Sequence, residues 1–203
     1  MDPTTIEWDE RYKEGGEALP WDTGTPAPEL TAYFSRVKEV PKRVLELGCG
    51  TGTNAIWMVQ QGSHVVATDI SPTAIEWAVN KAKSAGVNVE FKVSDICNEN
   101  PVEPKSVDFI FDRGVFHVMA KEKREQFVQA VHDSLCDGGM WLCLAGSADQ
   151  KRENEDHGPP QLTATELISG VEKLFEVHKL AKTSFLTPDG HNYVAWKAIF
   201  KKR

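Results

Sequence analysis

The sequence has no apolar run long enough to cross a membrane. Its longest apolar runs, around Val65 and Phe109, have the length of strands, and its first four residues, Met-Asp-Pro-Thr, do not resemble a signal peptide. A basic excess is also missing, because the formal net charge is −7. Since proteins bind nucleic acid by neutralising phosphates, this charge argues against a nucleic-acid partner. We expect a cytoplasmic protein that binds neither membranes nor nucleic acids.

Cysteine is scarce and its spacing is uninformative for metal binding. The four cysteines, at positions 49, 97, 136 and 143, form no C-x-x-C pair and no Cys/His pattern. Several lie in apolar surroundings typical of buried thiols. We therefore expect no disulfide, no zinc site and no other metal centre.

From Lys42 onward, short runs rich in Val, Ile and Phe alternate with longer segments of helical period. This alternation predicts an α/β fold, with a mostly parallel sheet and helices on both faces. Nothing in the composition marks a domain boundary, so residues 1–203 are interpreted as one domain with an N-terminal helical cap (1–40) and a core (41–203). Strands are predicted at residues 43–47, 64–69, 89–93, 107–112 and 139–144. Helices are predicted at residues 53–61, 72–85 and 121–135.

Local signals define several of these boundaries. Ser71 before Pro72 is an N-cap, and Thr163 with Glu166 forms a capping box that opens a short helix after a polar loop at 149–160. Two β-like segments, 173–181 and 193–200, close the chain as an antiparallel hairpin around a Thr-Pro-Asp-Gly turn.

Before the sheet, two helices are predicted at 4–14 and 28–37, joined by an irregular stretch that contains Trp21. Ligands of open parallel sheets bind beyond the carboxyl ends of the strands. We therefore expect this N-terminal helical segment to form a lid over that edge, although its aromatic residues would equally serve to anchor a helix on the core.

A glycine-rich loop follows the first strand. Glu46 precedes Gly48, Gly50 and Gly52, which stand where a backbone must turn sharply and approach a ligand closely. Such spacing also occurs in ordinary turns and in dinucleotide sites. A carboxylate beside the loop would repel a pyrophosphate and attract a ligand with a sulfonium and an ammonium group, so Glu46 favours S-adenosylmethionine over NAD.

Two further strands end in acidic residues. Asp69 ends the second strand about twenty residues after the loop, where a carboxylate accepts hydrogen bonds from a ribose diol, and Ile70 is assigned to the same site. Asp95 follows the third strand and is expected to accept the adenine amino group, while Ile96 packs on the ring. The glycine loop, the ribose contact after the second strand and the adenine contact after the third strand together indicate an adenosine ligand.

These motifs resemble the Rossmann-like, class I S-adenosylmethionine-dependent methyltransferases over about residues 42–144. The resemblance implies a seven-stranded sheet with an antiparallel last strand. It also implies methyl transfer by direct displacement, which leaves S-adenosylhomocysteine as product. The D/N-P-P-Y/F tetrad of enzymes that methylate exocyclic amines is absent after the fourth strand, which directs us to a small-molecule acceptor.

The runs Trp8-Asp9-Glu10-Arg11-Tyr12 and Pro20-Trp21-Asp22-Thr23-Gly24 resemble the thiopurine, thiol and halide methyltransferase family. Trp8 and Trp21 match the family's tryptophans, and Tyr12 stands where the family often has another. By this resemblance, all three residues cover the cofactor and close the acceptor pocket.

The fourth strand is followed by Asp112-Arg113-Gly114-Val115-Phe116-His117, which is similar to runs in thiol methyltransferase-like proteins. Arg113 and His117 are the catalytic candidates, to hold or deprotonate an acidic acceptor. Asp112 is assigned to the cofactor and Phe116 to the acceptor pocket. The alternative is structural: Arg113 pairs with a carboxylate, and His117 caps a helix or satisfies the backbone.

Tyr193, with His191 and Trp196 nearby, is placed where the terminal hairpin reaches the pocket, although alternating aromatics also suit a core. We expect a monomer or weak homodimer that methylates a small thiol or sulfide. A thiolate needs little help from a base. An O- or N-methyltransferase of an aromatic or acidic metabolite, and a non-catalytic S-adenosylmethionine-binding protein, stay open as alternatives.

Overall fold

The computed structural model describes residues 3–16, 19–152 and 160–203. It contains one seven-stranded sheet with helices packed around it. The strands are β1 (Arg43–Leu47), β2 (His64–Asp69), β3 (Glu90–Val93), β4 (Val107–Arg113), β5 (Leu135–Gly146), β6 (Phe175–Leu186) and β7 (Asn192–Lys202). The α-helices are α1 (Pro3–Gly15), α2 (Pro28–Phe34), α3 (Thr53–Gln60), α4 (Pro72–Ser84), α5 (Val115–Val118), α6 (Arg124–Ser134) and α7 (Ala164–Ser169).

The topology confirms the fold class predicted from the sequence. Five strands run parallel in the order β3-β2-β1-β4-β5, and β7 lies antiparallel between β5 and β6. The chain winds outward from β1 to β3 and then crosses back to β4. Ligands of open α/β sheets bind at this reversal, beyond the carboxyl ends of the strands. The reversal places the glycine-rich loop after β1 beside the run that follows β4.

The two faces of the sheet carry separate hydrophobic cores. On one face, Trp141 packs against Phe200 and against Phe127 of α6. On the other face, Phe34 of α2 contacts Phe109 at a ring-centroid distance of 5.8 Å. Burial of such rings stabilises the fold by roughly 2–3 kcal/mol each. Because α2 is held by this contact, the N-terminal segment is fixed to the sheet.

The largest difference from the predicted boundaries lies at residues 135–139. The sequence predicts a helix to residue 135 and a strand from 139, whereas β5 already begins at Leu135. Val107 pairs with Leu135 but Phe109 pairs with Met140, so the residues between form a bulge, with Gly138 at φ 73°. The bulge has the composition of a turn, which hides the strand pattern in the sequence.

Other elements differ in extent. The predicted helix at 121–135 opens with a 3-10 turn, and α6 proper begins at Arg124. Helix α2 ends at Phe34, short of residue 37, while β6 and β7 are longer than the predicted hairpin strands. Helix α5 is unpredicted because four residues are too few to show a helical period.

Two predicted helix starts are confirmed. The Ser71 side chain accepts a hydrogen bond from the Ala74 amide, and Thr163 and Glu166 form the reciprocal bonds of a capping box. Most of the polar loop predicted before that box, residues 153–159, lies outside the described residues.

All four cysteines are free thiols. Among the helices that the structure describes, none is long and apolar enough to cross a membrane.

Candidate active site at the carboxyl ends of β1, β2 and β4

The glycine-rich loop between β1 and α3 has a left-handed backbone at all three glycines. The φ angles of Gly48, Gly50 and Gly52 are 63°, 53° and 79°. A Cβ atom on Gly48 would lie 2.2 Å from Cγ2 of Val115, at the start of α5. Glycine is therefore required at Gly48 both for its conformation and for the close packing of the loop on the residues after β4.

Glu46 lies in β1 beside this loop and is buried, with 1% of its surface exposed. Burial raises the pKa of its carboxyl group to about 8, and the neighbouring charge of Asp69 adds to the rise. Among the described residues, none hydrogen-bonds to its Oε2 atom. A buried carboxyl group with a free oxygen suits a ligand that brings a donor or a positive charge.

Asp69, at the end of β2, connects the glycine loop to the start of α4. Its Oδ2 atom accepts a hydrogen bond of 2.9 Å from the Gly50 amide, and its Oδ1 atom accepts one of 3.0 Å from the Ser71 amide. Burial raises its pKa to about 6, although these backbone hydrogen bonds oppose the rise. Asp69 thus organises the loop by binding the Gly50 amide. Ile70, the next residue, is half-buried.

An aromatic cluster from the N-terminal segment and α4 contacts the loop. The Tyr12 ring contacts the Trp21 ring at 5.7 Å and the Trp77 ring at 6.1 Å, and Trp8 contacts Trp21 at 5.6 Å. The hydroxyl of Tyr12 lies 3.0 Å from the position that a Cβ of Gly50 would take. The three aromatic residues predicted at the cofactor site therefore lie together in one cluster, in which Tyr12 contacts the glycine loop.

Helix α1 is fixed by Asp9, for which the sequence predicts no role of its own. The Asp9 carboxylate accepts hydrogen bonds from the Ser71 hydroxyl at 2.7 Å and the Thr73 amide at 2.9 Å, and it pairs with Lys13 at 2.6 Å. Although burial opposes ionisation, these partners hold the pKa of Asp9 well below its usual range. Asp9 thereby caps the start of α4, which is a favourable place for a negative charge.

The residues after β3 are arranged differently from the glycine loop. Asp95 accepts hydrogen bonds from the Cys97 amide at 2.9 Å and from Nδ2 of Asn98 at 3.0 Å, so its carboxylate shapes the turn after β3. Asp95 remains half-exposed, whereas Ile96 is buried in the core on the α6 face. Of this pair, Asp95 is the residue that a ligand can reach in this structure.

Asp112, at the end of β4, is fully buried and uses both carboxylate oxygens within the protein. The Phe116 amide donates to Oδ1 at 3.1 Å, and Nε1 of Trp141 donates to Oδ2 at 2.8 Å. Burial raises the pKa of Asp112 to about 6. Phe116 is also fully buried, against Phe127 and Trp141. The structure thus places these two predicted contact residues behind the site, where they hold α5 in place.

Arg113 points from the end of β4 toward the N-terminal segment. Its Nη1 atom donates a hydrogen bond of 3.0 Å to the Trp21 carbonyl oxygen, and its guanidinium lies 4.8 Å from the centre of the Phe185 ring. Burial lowers the pKa of Arg113, while the nearby carboxylates of Asp22 and Glu29 oppose that change. This geometry combines a cation with an aromatic wall.

His117, in α5, is buried between Arg113 and β5. The Gly146 amide donates a hydrogen bond of 2.6 Å to its Nδ1 atom, and the ring packs on Phe185 at 5.9 Å. Burial lowers the pKa of His117 to about 3, and the charge of Arg113 acts in the same direction. The ring is therefore neutral with its proton on Nε2, so no lone pair is free to accept a proton. This arrangement matches the structural alternative for His117.

The terminal hairpin contributes one predicted and one unpredicted residue. Tyr193 is half-buried, stacks on His191 at 6.1 Å and carries Arg152 over its ring at 5.2 Å. Phe185, its partner across β6 and β7, contacts both Arg113 and His117. A phenylalanine near the end of an edge strand carries no motif, so its role could not be predicted from the sequence.

The carboxyl groups of this site suit a ligand that brings hydrogen-bond donors and a positive charge. The carboxyl groups of Glu46 and Asp69 lie next to the glycine loop, and the free Oε2 of Glu46 offers an acceptor. Asp69, whose pKa is raised only to about 6, is ionised at neutral pH, and an ammonium group at Oε2 of Glu46 would favour ionisation of that carboxyl group as well. A pyrophosphate would be repelled there. These residues therefore fit S-adenosylmethionine. Within the described ranges, no group of His, Cys, Asp or Glu side chains is arranged to hold a metal ion.

Comparison with known proteins agrees with this chemistry. The profile of the thiopurine S-methyltransferase family matches residues 4–202. A 2-heptyl-1-hydroxyquinolin-4(1H)-one methyltransferase from Mycobacteroides abscessus is 31% identical over 163 residues, which cover 80% of this chain and 70% of that protein. The probable thiol methyltransferase 2 of Arabidopsis thaliana is 31% identical over 156 residues, 75% of this chain and 65% of that protein.

The fold has solved counterparts as well. A structure from work on the conversion of a disulfide bond into a thioacetal group during echinomycin biosynthesis superposes with a TM-score of 0.85, covering 98% of this chain and 91% of that one. Its identity of 23% supports the fold alone. The family profile, in contrast, spans nearly the whole sequence. The chain therefore belongs to the thiopurine S-methyltransferase family and is an S-adenosylmethionine-dependent methyltransferase.

Proposed function

We propose that this enzyme methylates the sulfur of a small thiol or of sulfide. The observation that carries the proposal is the pairing of Arg113 with Phe185 beside a histidine that has no free lone pair. A cation on an aromatic wall suits an acceptor that is anionic before it reacts. Thiols near neutral pH are already partly ionised, so they need no base from the protein. The thiol methyltransferase among the relatives supports the same class.

We assign the cofactor to the glycine loop and its two carboxyl groups. Glu46 would receive the ammonium group of the amino-acid portion, and Asp69 the ribose. Asp95 and Ile70 would lie on the adenine side. When bound, S-adenosylmethionine supplies a methyl group attached to a positively charged sulfur. Ile96, Asp112 and Phe116 then act indirectly, by holding the turns after β3 and β4.

The N-terminal aromatic residues supply the cover. Trp8, Tyr12 and Trp21 form one contiguous cluster over the loop, and Asp9 fixes its helix to α4. Excluding water from this region would strengthen the electrostatic interactions inside it and keep the acceptor aligned. In this proposal the protein's main contribution is alignment and dehydration of an acceptor that is already nucleophilic.

At the acceptor, Arg113 is the residue we assign to hold the anion. Its guanidinium has several N–H donors, and the Trp21 carbonyl uses one of them. His117 would position α5 and β5 relative to each other through Gly146. Tyr193 would line the outer end of the pocket.

A second candidate is methylation of an acidic hydroxyl on an aromatic ring. The Mycobacteroides abscessus relative is named for a substrate with such a hydroxyl group, and its identity to this chain equals that of the thiol methyltransferase. The same Arg113 and Phe185 wall would accept an aromatic oxyanion. The two candidates differ in the reacting atom, so matched acceptors that differ only in sulfur or oxygen discriminate between them.

Variants of Arg113 test the proposed acceptor site. With thiophenol as acceptor, Arg113→Gln should raise KM at least tenfold, because a charge-assisted contact is worth about 1.5–3 kcal/mol. Arg124→Gln is the matched control, since Arg124 also lies over an aromatic ring, that of Phe116, at 5.9 Å. An Arg113→Gln variant with the KM and kcat of the parent would contradict the assignment.

A further inference from the structure

The dipeptide Trp21-Asp22 is bound by two different functional loops. Arg113, after β4, donates a hydrogen bond to the Trp21 carbonyl oxygen at 3.0 Å. Thr51, in the glycine loop, donates its hydroxyl proton to Oδ2 of Asp22. The carbonyl group of Trp21 and the Cα atom of Asp22 belong to the same peptide unit, so a movement of this part of the backbone displaces both bonds.

The direction of the bond between Thr51 and Asp22 is fixed by a lysine. Nζ of Lys81 lies 3.1 Å from Oγ1 of Thr51 and 2.6 Å from Oγ1 of Thr53. An ammonium group can only donate, so Thr51 accepts from Lys81 and directs its single proton to Asp22. A continuous series of contacts therefore runs from α4 through the glycine loop to the N-terminal segment.

Charge links the same residues. Arg113 is half-buried, and the carboxylates that act on it are those of Glu29 and Asp22. Glu29 is itself held by the hydroxyl of Thr183 on β6. Asp22 is therefore the one residue of this group that both binds the glycine loop and acts electrostatically on Arg113.

We propose that Asp22 is a positioning residue that transmits binding at the glycine loop to Arg113, so that cofactor and acceptor strengthen each other's binding. The inference rests on the proposed role of Arg113 at the acceptor. A cofactor that orders the loop at Thr51 would order Asp22, and with it the Trp21 carbonyl group that fixes the guanidinium. By linkage, an acceptor held at Arg113 must tighten cofactor binding by the same factor.

A local role for Asp22 makes a different prediction. Its Oδ1 atom accepts a hydrogen bond of 2.9 Å from the Gly24 amide, which by itself would only stabilise the turn. A turn residue would affect the melting temperature and leave the mutual effect of the two ligands unchanged.

The test measures the Kd of S-adenosylhomocysteine by calorimetry, with and without saturating thiophenol. The product carries no methyl group to transfer, so the ternary complex does not react. We expect thiophenol to lower this Kd at least fivefold in the parent enzyme. Asp22→Asn and Thr51→Val should bring the ratio of the two Kd values, without and with thiophenol, close to one. Thr51→Ser should keep the ratio of the parent. Thr53→Val is the matched control, because Thr53 also binds Lys81 but does not contact Asp22.

Two results would overturn the proposal: an Asp22→Asn variant with the parent's ratio, or equal loss of the ratio in Thr53→Val. Failure of the proposed thiol activity is seen separately. If the enzyme turns over phenol and not thiophenol, the thiol assignment fails, and the ratio is measured with phenol. A parent enzyme that shows no mutual effect with an acceptor that it does turn over contradicts the role of Asp22.

Discussion

The Gly146 amide donates a hydrogen bond to Nδ1 of His117 across 2.6 Å, and this contact bears on the chemistry of the whole site. It joins α5 to the end of β5 and occupies the lone pair that a general base would need. His117→Asn, which keeps an acceptor near the position of Nδ1, should retain most of the activity. His117→Ala should lower the free energy of unfolding by about 1–3 kcal/mol, because the buried Gly146 amide loses its partner.

The pH dependence of kcat/KM for thiophenol separates this account from base catalysis. The parent and His117→Asn should show the same profile between pH 5.5 and about 7.5, since the pKa of His117 is lowered to about 3 by burial. A hundredfold loss in His117→Asn, together with loss of an ionisation near neutrality, would establish the base role instead.

Glu46 should make the enzyme less stable as the pH rises. Its pKa is raised by burial from 4.5 to about 8 in the folded chain, so between these values the unfolded chain is ionised and the folded chain is not. The contribution of Glu46 to stability is then greatest below about pH 4.5 and is lost, by at most about 1.4 kcal/mol per pH unit, up to about pH 8. Urea denaturation at pH 5 and pH 8 should show this fall, and Glu46→Gln should reduce it.

The same substitution should weaken cofactor binding, because the variant loses the carboxylate we assign to the ammonium group. The expected combination is therefore a variant that is more stable than its parent at pH 8 and binds S-adenosylhomocysteine less tightly. If the variant bound S-adenosylhomocysteine more tightly and its unfolding kept the pH dependence of the parent, Glu46 would not belong to the cofactor site.

Asp69→Asn should raise the Kd of S-adenosylhomocysteine roughly 10- to 100-fold, the range of a charge-assisted hydrogen bond. Asp108→Asn is the matched control. Asp108, in β4, also accepts backbone hydrogen bonds, from the Arg43 amide at 3.2 Å. It lies beside the first residue of β1, at the end of that strand away from the glycine loop. Calorimetry that finds equal affinities for both variants would exclude Asp69 from ribose binding.

Gly48→Ala should destabilise the fold by about 2–4 kcal/mol, from its left-handed backbone and from overlap with Val115. In Gly62→Ala the backbone is also left-handed, at φ 94°, but a Cβ has no neighbour within 4 Å, so only the backbone strain of about 1–2 kcal/mol applies. Chemical denaturation of both variants checks the difference. The overlap should be relieved by Val115→Ala in the Gly48→Ala background, and absence of any rescue would contradict the packing described here.

The sheet could be predicted from the sequence because its central strands β1, β2 and β4 are buried along nearly their whole length, and their apolar runs alternate with helical periods. The glycine loop, Asp69 and the N-terminal tryptophans could be found because each stands at a fixed distance from a strand end or in a motif. The bulge between Leu135 and Met140 could not, since its turn-like residues pair only through tertiary structure.

Side-chain direction was the other limit. Asp112 and Phe116 lie in the run that follows β4, yet their side chains turn into the core toward Trp141. Asp22 and Phe185 contact the functional loops from distant parts of the chain, and nothing in their local sequence indicates those partners. Spacing along a chain locates the end of a strand, whereas three-dimensional packing decides which side chains face the ligand.

The most direct measurement is the formation of S-adenosylhomocysteine from S-adenosylmethionine with acceptors that differ in one atom, thiophenol against phenol, alongside sulfide, iodide and aniline. We expect the highest kcat/KM for thiophenol and sulfide, because these acceptors ionise without a base and match the cationic, aromatic wall of Arg113 and Phe185. Preference for phenol or aniline over thiophenol would keep the fold and the cofactor but contradict sulfur as the atom that is methylated.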